Sequence, residues 1–184
     1  MFDLLNPESA VGEAKTLLDD TRKQLGRVPN LYRAMANGPA ALRGYLAFRD
    51  ALQGGALDVR MRERIALLVA ELNSCDYCVA AHVFRGAKIG MSAEDLDGTR
   101  GGVSGDPKVQ AALSFVTALV RSQGHVGEAA LDAVRGQGWT PAEVTEMVAH
   151  VALNVFSNYF KQVAEPALDF PPAPLRGEVT WVAE

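Results

Sequence analysis

The sequence predicts an all-α protein, and three observations support this fold class. Apolar residues recur at the 3.6-residue spacing of amphipathic helices along most of the chain. Residues that start and stop helices recur between these segments. Alternating apolar and polar runs, which would indicate half-buried strands, are absent. With 184 residues, 48% of them hydrophobic, the chain can bury a sizeable core in one domain.

Composition and charge narrow the functional classes. A formal net charge of −4 and a pI near 5.4 argue against a nucleic-acid-binding surface. The longest unbroken apolar run, IALLVA, is too short to cross a membrane. The opening residues MFDLLNPESA have neither a basic segment nor a long apolar stretch. We therefore expect no signal peptide and a cytoplasmic location.

The N-terminal third is predicted to contain three helices. The first covers residues 7–24, with an apolar side that includes Val11 and Leu18, and it ends at Gly26. We expect residues 1–26 to pack on the core or on a neighbouring subunit. A short helix and a longer one that begins at Pro39 follow. The aromatic residues of these two helices are more simply explained as core than as cavity lining; they are Tyr32, Tyr45 and Phe48.

Residues 62–90 form the segment around which the chain is organised. The apolar residues Met61, Ile65, Leu68 and Leu72 lie on one face of a helix that leads into it. A second helix is predicted after Asn73 and Ser74, either of which could cap it. Together the two helices make an antiparallel hairpin. One arc of the second helix holds a set of special residues: Cys75, Cys78, His82 and Gly86.

The hairpin predicts a reactive dithiol. Both sulfurs lie in the first turn of a helix, where unpaired N–H groups and the helix dipole favour a thiolate. If the chain folds back at Asn73, His82 returns to the level of Glu63. A carboxylate, an imidazole and two thiols then form a proton relay to sulfur. Gly86 is expected to leave open space above His82.

Two later stretches share one helix-start pattern. Residues 90–96 and 138–144 each contain a glycine, a large apolar residue, a Ser or Thr cap and an acidic residue three positions on. Between them, Asp106 and Pro107 are predicted to open a helix that runs to Val120. His125 lies between glycines and is interpreted as a surface residue.

The last long helix, residues 140–164, has a polar stripe on an otherwise apolar surface. His150, Asn154 and Asn158 follow at intervals of four. Either they line a pocket or subunit contact, or they form an internal hydrogen-bonded ladder, and the sequence leaves both open. Residues 171–184, with three prolines and Trp181, are predicted to form an extended tail.

The spacing Glu63-x11-Cys75-x2-Cys78-x3-His82 resembles that of the alkylhydroperoxidase D-like (AhpD-like) branch of the carboxymuconolactone decarboxylase superfamily. The resemblance runs from about residue 29 to 170 and includes HVALNVFSNYF. It implies an AhpD-like helical bundle over residues 27–170, a homo-oligomer (trimer or hexamer), and these four residues as the active site. Tyr77 stands where the best-known members have histidine. It is a candidate relay or pocket residue, as are His150 and Asn154.

The resemblance implies a thiol-dependent hydroperoxide reductase, related to the peroxidase branch of the family. In this reading Cys78 attacks the peroxide, Cys75 resolves the product to a disulfide, and Glu63 with His82 passes protons. Position alone leaves a rival, because Cys75 is nearer the helix end and could be the more acidic and exposed thiol. The reductant would be an external dithiol, such as a lipoyl-bearing protein. No bound cofactor is expected, since the loop GGVSGD lacks the ending of a phosphate cradle.

Three alternatives use the same residues. One is a protein disulfide reductase without a preference for peroxides. Another is a structural zinc site with four ligands: Glu63, Cys75, Cys78 and His82. Structural zinc sites usually use four cysteine or histidine ligands, and the sequence has no second Cys/His pair to complete such a set. The hydroperoxide reductase interpretation assigns no metal. The third is a decarboxylase-type activity, which is disfavoured because that branch lacks the Cys-x-x-Cys pair.

Overall fold

The computed structural model describes residues 2–174 and 176, and over these residues it contains nine α-helices and no β-strand. The all-α prediction is therefore confirmed. No helix among them is both long and apolar enough to span a bilayer. In chain order the helices are α1 Gly12–Leu25, α2 Asn30–Met35, α3 Pro39–Gln53, α4 Val59–Leu72, α5 Asp76–Lys88, α6 Ala93–Arg100, α7 Pro107–Arg121, α8 Glu128–Gly136 and α9 Pro141–Ala164.

Helix α4 is the central element. It packs against α5, α6, α7 and α9, and seven consecutive or near-consecutive side chains from Met61 to Ala70 are buried. The core has two parts on either side of this helix. One part contains both cysteines with residues of α1, α2, α3 and α5. The other contains residues of α4, α7, α8 and α9. The α4–α5 hairpin thus lies at the junction of the two.

The first helix is shorter than predicted. Residues 7–9 form a turn in which the carbonyl of Asn6 accepts from the amides of Ser9 and Ala10. Gly12 then adopts a φ of +60°, which separates this turn from the helix that begins there. As a result Val11 is 81% exposed rather than buried, whereas Leu18 is fully buried as expected. Helix α1 packs on α3 of the same chain.

The turn between α4 and α5 differs from the prediction that Asn73 or Ser74 caps the second helix. Cys75 occupies the N-cap position, and its own side chain makes no capping hydrogen bond. Ser74 has a φ of 52°, so its backbone makes the reversal. The Asn73 amide is used elsewhere, because its Nδ2 donates to Oδ1 of Asn158 on α9 at 3.0 Å. The turn is therefore held by the long C-terminal helix.

The repeated helix-start pattern is confirmed. Ser92 accepts from the amide of Asp95 at 3.1 Å and begins α6. Thr140 and Glu143 form a complete capping box at the start of α9. Each of these caps accepts a hydrogen bond from a backbone N–H group that the first helical turn would otherwise leave unpaired.

Ion pairs fasten α6 onto α4. Arg64 bonds Asp95 at 2.9 Å, and Arg100 bonds Glu71 at 2.8 Å. Both arginines are largely buried, with side-chain exposures of 12% and 10%. These charged side chains of α4 therefore serve as contacts that hold α6 in place.

Residues 165–174, called here the C-terminal segment, follow α9 without regular structure. Phe170 packs into the core part that holds the cysteines and is 8% exposed. The Asp169 carboxylate accepts from the amide of Asn30 at 3.0 Å and pairs with Arg27. Of the predicted tail, residues 171–174 are irregular, and Trp181 lies outside the described residues.

Candidate active site

Cys75 and Cys78 form a disulfide at the start of α5, with their Cα atoms 5.2 Å apart. Cys75 is the N-cap residue and is fully buried, and Cys78 follows in the first turn and is 4% exposed. The expectation that Cys75 could be the more exposed thiol is therefore wrong. The reversal at Ser74 directs Cys75 into the core, whereas Cys78 lines a small chamber.

Glu63 and His82 meet across the hairpin, as predicted. Oε1 of Glu63 lies 2.6 Å from Nδ1 of His82. We assign a proton to Nδ1, because the carboxylate can only accept, and this leaves Nε2 as the free ring nitrogen. Burial by itself raises the pKa of the Glu63 carboxyl, but His82 and the guanidiniums of Arg85 and Arg62 outweigh it. The pKa of Glu63 therefore lies below its ordinary value, and the group is a carboxylate at neutral pH.

Two adjoining spaces surround this pair. The larger is a cavity of about 370 Å³ with Glu63 in its wall, and it is here called the outer cavity. The smaller, of about 20 Å³, has Cys78 in its wall and is called the inner chamber. Four side chains belong to the walls of both spaces: Tyr32, Tyr45, His82 and Arg85. The imidazole thus lies between the carboxylate and the sulfur.

The aromatic residues of α2 and α3 were predicted to be core residues, but two of them line the site and the third lies at the surface. Tyr32 and Tyr45 line both spaces, with ring centroids 5.7 Å apart, whereas Phe48 is 40% exposed on the outside. Burial raises the pKa of Tyr32, but the adjacent Arg85 and Arg49 outweigh it, so the pKa of this phenol is lowered. Burial and the neighbouring Tyr32 raise the pKa of Tyr45. The Tyr32 phenol is therefore the more acidic of the two, and the Tyr45 phenol stays protonated at neutral pH.

Tyr77 lies between the cysteines and joins the site to the C-terminal segment. Its ring is in the wall of the inner chamber, and its hydroxyl donates to Oδ1 of Asp169 at 2.6 Å. The hydroxyl oxygen of Tyr77 also accepts from the amide of Leu31 at 3.3 Å. Burial, and then Asp169, raise the pKa of Tyr77, so the phenol stays protonated. The geometry gives it a place in the pocket wall with its hydroxyl already bonded.

The polar stripe of α9 serves two purposes. His150 and Asn154 line the outer cavity, and Asn154 Nδ2 donates to the carbonyl of His150 at 2.8 Å. Asn158 instead binds Asn73. The first two residues of the stripe therefore line a cavity, as one interpretation predicts, and the third makes an internal hydrogen bond, as the other predicts. Nε2 of His150 is buried without a hydrogen-bond partner in the described structure. Burial, and then Arg62, lower the pKa of His150 to about 4. His150 is therefore neutral near pH 7.

Three arginines in the outer cavity wall escaped the sequence interpretation: Arg49, Arg62 and Arg85. One signal was available for Arg85, since it follows Cys78 by seven residues and His82 by three on the same face of α5. Arg49 and the two tyrosines come from other helices, and only packing brings them here. No three His, Cys, Asp or Glu side chains among the described residues form a cluster that could hold a metal ion.

Gly86 does not open space above His82 as expected. A Cβ at this position would lie 2.6 Å from Cδ2 of Leu96 and 3.3 Å from Sδ of Met91. The glycine therefore allows the start of α6 to pack closely against α5.

Fold and site define a class of all-α proteins that carry a Cys-x-x-Cys pair at a helix start beside a cavity. Residues 39–119, which include α3 to α6 and most of α7, match the model of the carboxymuconolactone decarboxylase family. Glu63, Cys75, Cys78 and His82 all lie in the matched range. No curated protein matches the chain in sequence.

Solved structures share the fold. An uncharacterized peroxidase-related protein with an alkylhydroperoxidase AhpD core from Ralstonia eutropha JMP134 is 22% identical, with a TM-score of 0.81 and 91% of each chain covered. A peroxidase-related protein from Silicibacter sp. TM1040 is 21% identical, with a TM-score of 0.70, and 96% of this chain and 90% of that one are covered. The debrominase Bmp8, in complex with 2,3,4-tribromopyrrole, is 14% identical, with a TM-score of 0.76 and coverages of 91% and 90%. Residues 39–119 are thus similar to the carboxymuconolactone decarboxylase family, and the chain has the AhpD-like fold of these solved structures.

Proposed function

We propose that this protein is a thiol-dependent hydroperoxide reductase. One observation carries the proposal: Cys78 faces a chamber whose wall includes His82, and His82 is held by the Glu63 carboxylate. A resolving thiol, Cys75, is already close enough to form a disulfide with it. Sulfur nucleophile, base and carboxylate thus occur in the order that peroxide reduction requires.

In the first step the Cys78 thiolate attacks the terminal oxygen of the hydroperoxide. A sulfur–oxygen bond forms, the O–O bond breaks, and Cys78 becomes a sulfenic acid. The leaving alkoxide takes a proton and departs as the alcohol. His82, one turn from Cys78, accepts the thiol proton and delivers it to that oxygen, and Glu63 stabilises the imidazolium in between.

In the second step the Cys75 thiolate attacks the sulfenic sulfur. The disulfide bond forms, and the hydroxide that leaves is protonated to water. A dithiol reductant then returns both cysteines to thiols by two thiol–disulfide exchanges. We propose a small dithiol or a dihydrolipoyl arm for this role, since a slender group suits two cysteines whose residues are 0% and 4% exposed. Exchange at Cys75 requires the first turn of α5 to open.

The competing disulfide reductase needs a protein disulfide to reach the same sulfurs, and their burial speaks against such a bulky substrate. The outer cavity is large enough for a small organic molecule instead. A small hydroperoxide is therefore the substrate class that we favour.

The test is consumption of cumene hydroperoxide by the reduced protein, first with dithiothreitol and then with dihydrolipoamide. Turnover that is lost in Cys78→Ser supports the proposal. Turnover that survives in Cys78→Ser contradicts it. Much faster reduction of a protein disulfide than of any hydroperoxide favours the reductase. Stoichiometric zinc in the purified protein would favour the metal site.

A further inference from the structure

The outer cavity is rich in positive charge although the chain as a whole is acidic. Its wall contains three arginines and one carboxylate, Glu63, which is already paired with His82. Arg49 bonds Asp50 at 2.7 Å, and Arg62 bonds the carbonyls of Leu52 and Gln53. A cavity with this excess of guanidinium groups attracts an anion.

Arg49 is paired with a carboxylate and Arg62 with two carbonyls, whereas Arg85 has neither kind of partner among the described residues. Within residues 2–174 and 176, no carboxylate oxygen lies within 4.0 Å of it. Its neighbours are the Tyr32 phenol and the ring of Phe170, whose centroid is 5.8 Å away, and the Glu63 carboxylate acts on it from beyond 4.0 Å. By contrast, the largely buried Arg64 and Arg100 each bind a carboxylate directly. A largely enclosed cation without such a partner is costly to keep, and a bound anion would relieve that cost.

The position of Arg85 connects the anion site to the reacting sulfur. Cys78, His82 and Arg85 occupy one face of α5, and Arg85 lines both the inner chamber and the outer cavity. Seven residues of helix separate the Cα atoms of Cys78 and Arg85 by about 10 Å. One ligand molecule can therefore reach both groups. The lowered pKa of Tyr32 beside Arg85 agrees with a positive potential at this point.

The remaining wall is suited to an apolar body. Leu25, Val59, Ala66 and Leu153 contribute to the outer cavity between the charged groups. We propose that the natural substrate carries a carboxylate that pairs with Arg85, joined through an apolar body to the group that reacts at Cys78. Under the proposed function, this substrate is an organic hydroperoxide acid. Arg85 is then a substrate-binding residue that sets specificity, and its planar donor fork matches a carboxylate in two hydrogen bonds.

The kinetic test uses two probes that differ in one charge: cumene hydroperoxide with a para carboxylate, and the methyl ester of the same compound. Wild type is expected to prefer the acid in kcat/KM by about tenfold or more. Arg85→Gln should abolish this preference, and Arg85→Lys should restore part of it. Arg135→Gln, which removes an exposed cation on α8, is the matched control and should keep the preference. Equal use of both probes by wild type would overturn the inference.

A binding test separates the inference from the proposed reaction. Calorimetric titration with 4-isopropylbenzoate and with 4-isopropylbenzamide requires no turnover, and the comparison of the two ligands in wild type can refute the inference without any variant. Tighter binding of the carboxylate by about tenfold, lost in Arg85→Gln, supports the anion site even if no peroxide is consumed. Turnover of cumene hydroperoxide together with equal binding of both probes supports the reductase and refutes the anion site.

Discussion

Glu63 and His82 are 19 residues apart and lie in hydrogen-bond contact, with Oε1 2.6 Å from Nδ1. This contact fixes which ring nitrogen carries the proton in the neutral imidazole and supplies the negative charge that a protonated imidazole needs. The pair is built by the backbone of one helical hairpin.

Replacement of Glu63 by glutamine tests this pairing. Because the amide keeps the size but removes the charge, we expect kcat/KM for cumene hydroperoxide to fall roughly 10²–10³-fold. The pKa of Glu63 is below its ordinary value, so wild-type activity should persist down to acidic pH before this carboxylate is protonated. Glu71→Gln, on the same helix but paired with Arg100, is the control. A pH–rate profile unchanged by Glu63→Gln would refute the relay.

Replacement of Cys75 by serine tests the order of the two sulfurs. Without a resolving thiol, Cys78 should stop at the sulfenic acid after one equivalent of peroxide. Dimedone should then add once, at Cys78, as read by peptide mass spectrometry. Wild type treated in the same way should form the disulfide and give little adduct. If Cys78→Ser is labelled at Cys75 instead, the two roles are reversed.

The buried His150 predicts a stability that depends on pH. Its pKa is about 4 in the folded protein and near 6.5 when unfolded, so the unfolded chain binds the extra proton first as pH falls. The contribution of His150 to stability is complete above pH 6.5 and is lost progressively down to about pH 4. Because cavity water screens part of this effect, we expect a loss on the order of 1–2 kcal/mol.

Urea unfolding of wild type and His150→Gln between pH 4 and 8 measures this contribution. The variant should show a flatter dependence across pH 4 to 6.5. His125→Gln, which changes an exposed histidine, should follow wild type. A dependence that is equally steep in His150→Gln would assign the acid sensitivity to another group.

The contact between Tyr77 and Asp169 is predicted to hold the C-terminal segment on the site. Tyr77→Phe removes the hydroxyl that donates at 2.6 Å and leaves a half-buried carboxylate short of one donor. We expect a loss of about 1–3 kcal/mol in the free energy of unfolding, measured by urea denaturation. Tyr159→Phe alters a side chain that is 60% exposed and should change stability by less than about 0.5 kcal/mol. Equal losses of unfolding free energy in the two variants would contradict a stabilising role of the contact between Tyr77 and Asp169.

The homo-oligomer implied by the family resemblance remains a proposal, and α9 offers the surface for it. Four apolar side chains follow one another on the exposed side of this helix: Val148, Phe156, Tyr159 and Val163. A second copy of the chain would cover them. Val163→Glu should lower the mass measured by light scattering after size exclusion, and Val103→Glu, at a similarly exposed valine, should not. A monomeric wild type would contradict the proposal.

Much of the fold could be predicted because its signals are local. The capping box at Thr140 was readable, since each such pattern needs only a few adjacent residues. The start of α1 differs from the prediction because Gly12 adopts a left-handed backbone conformation, and the residue types around it do not show which conformation a glycine adopts. The sequence suggests Asn73 as a helix cap, but the Asn73 side chain binds Asn158 instead. That partner is 85 residues away along the chain, so no local pattern indicates the contact.

By itself the sequence determined the all-α class and the α4–α5 hairpin with its dithiol, carboxylate and imidazole. Helical periodicity fixes which side chains share a face, and a short turn fixes how two adjacent helices meet. Only the tertiary structure decided that Cys78 rather than Cys75 faces a chamber and that Tyr32 and Tyr45 complete it. It also decided that no carboxylate oxygen of the described residues lies within 4.0 Å of Arg85. Those features depend on burial and on charges brought together from separate helices, which no local pattern encodes.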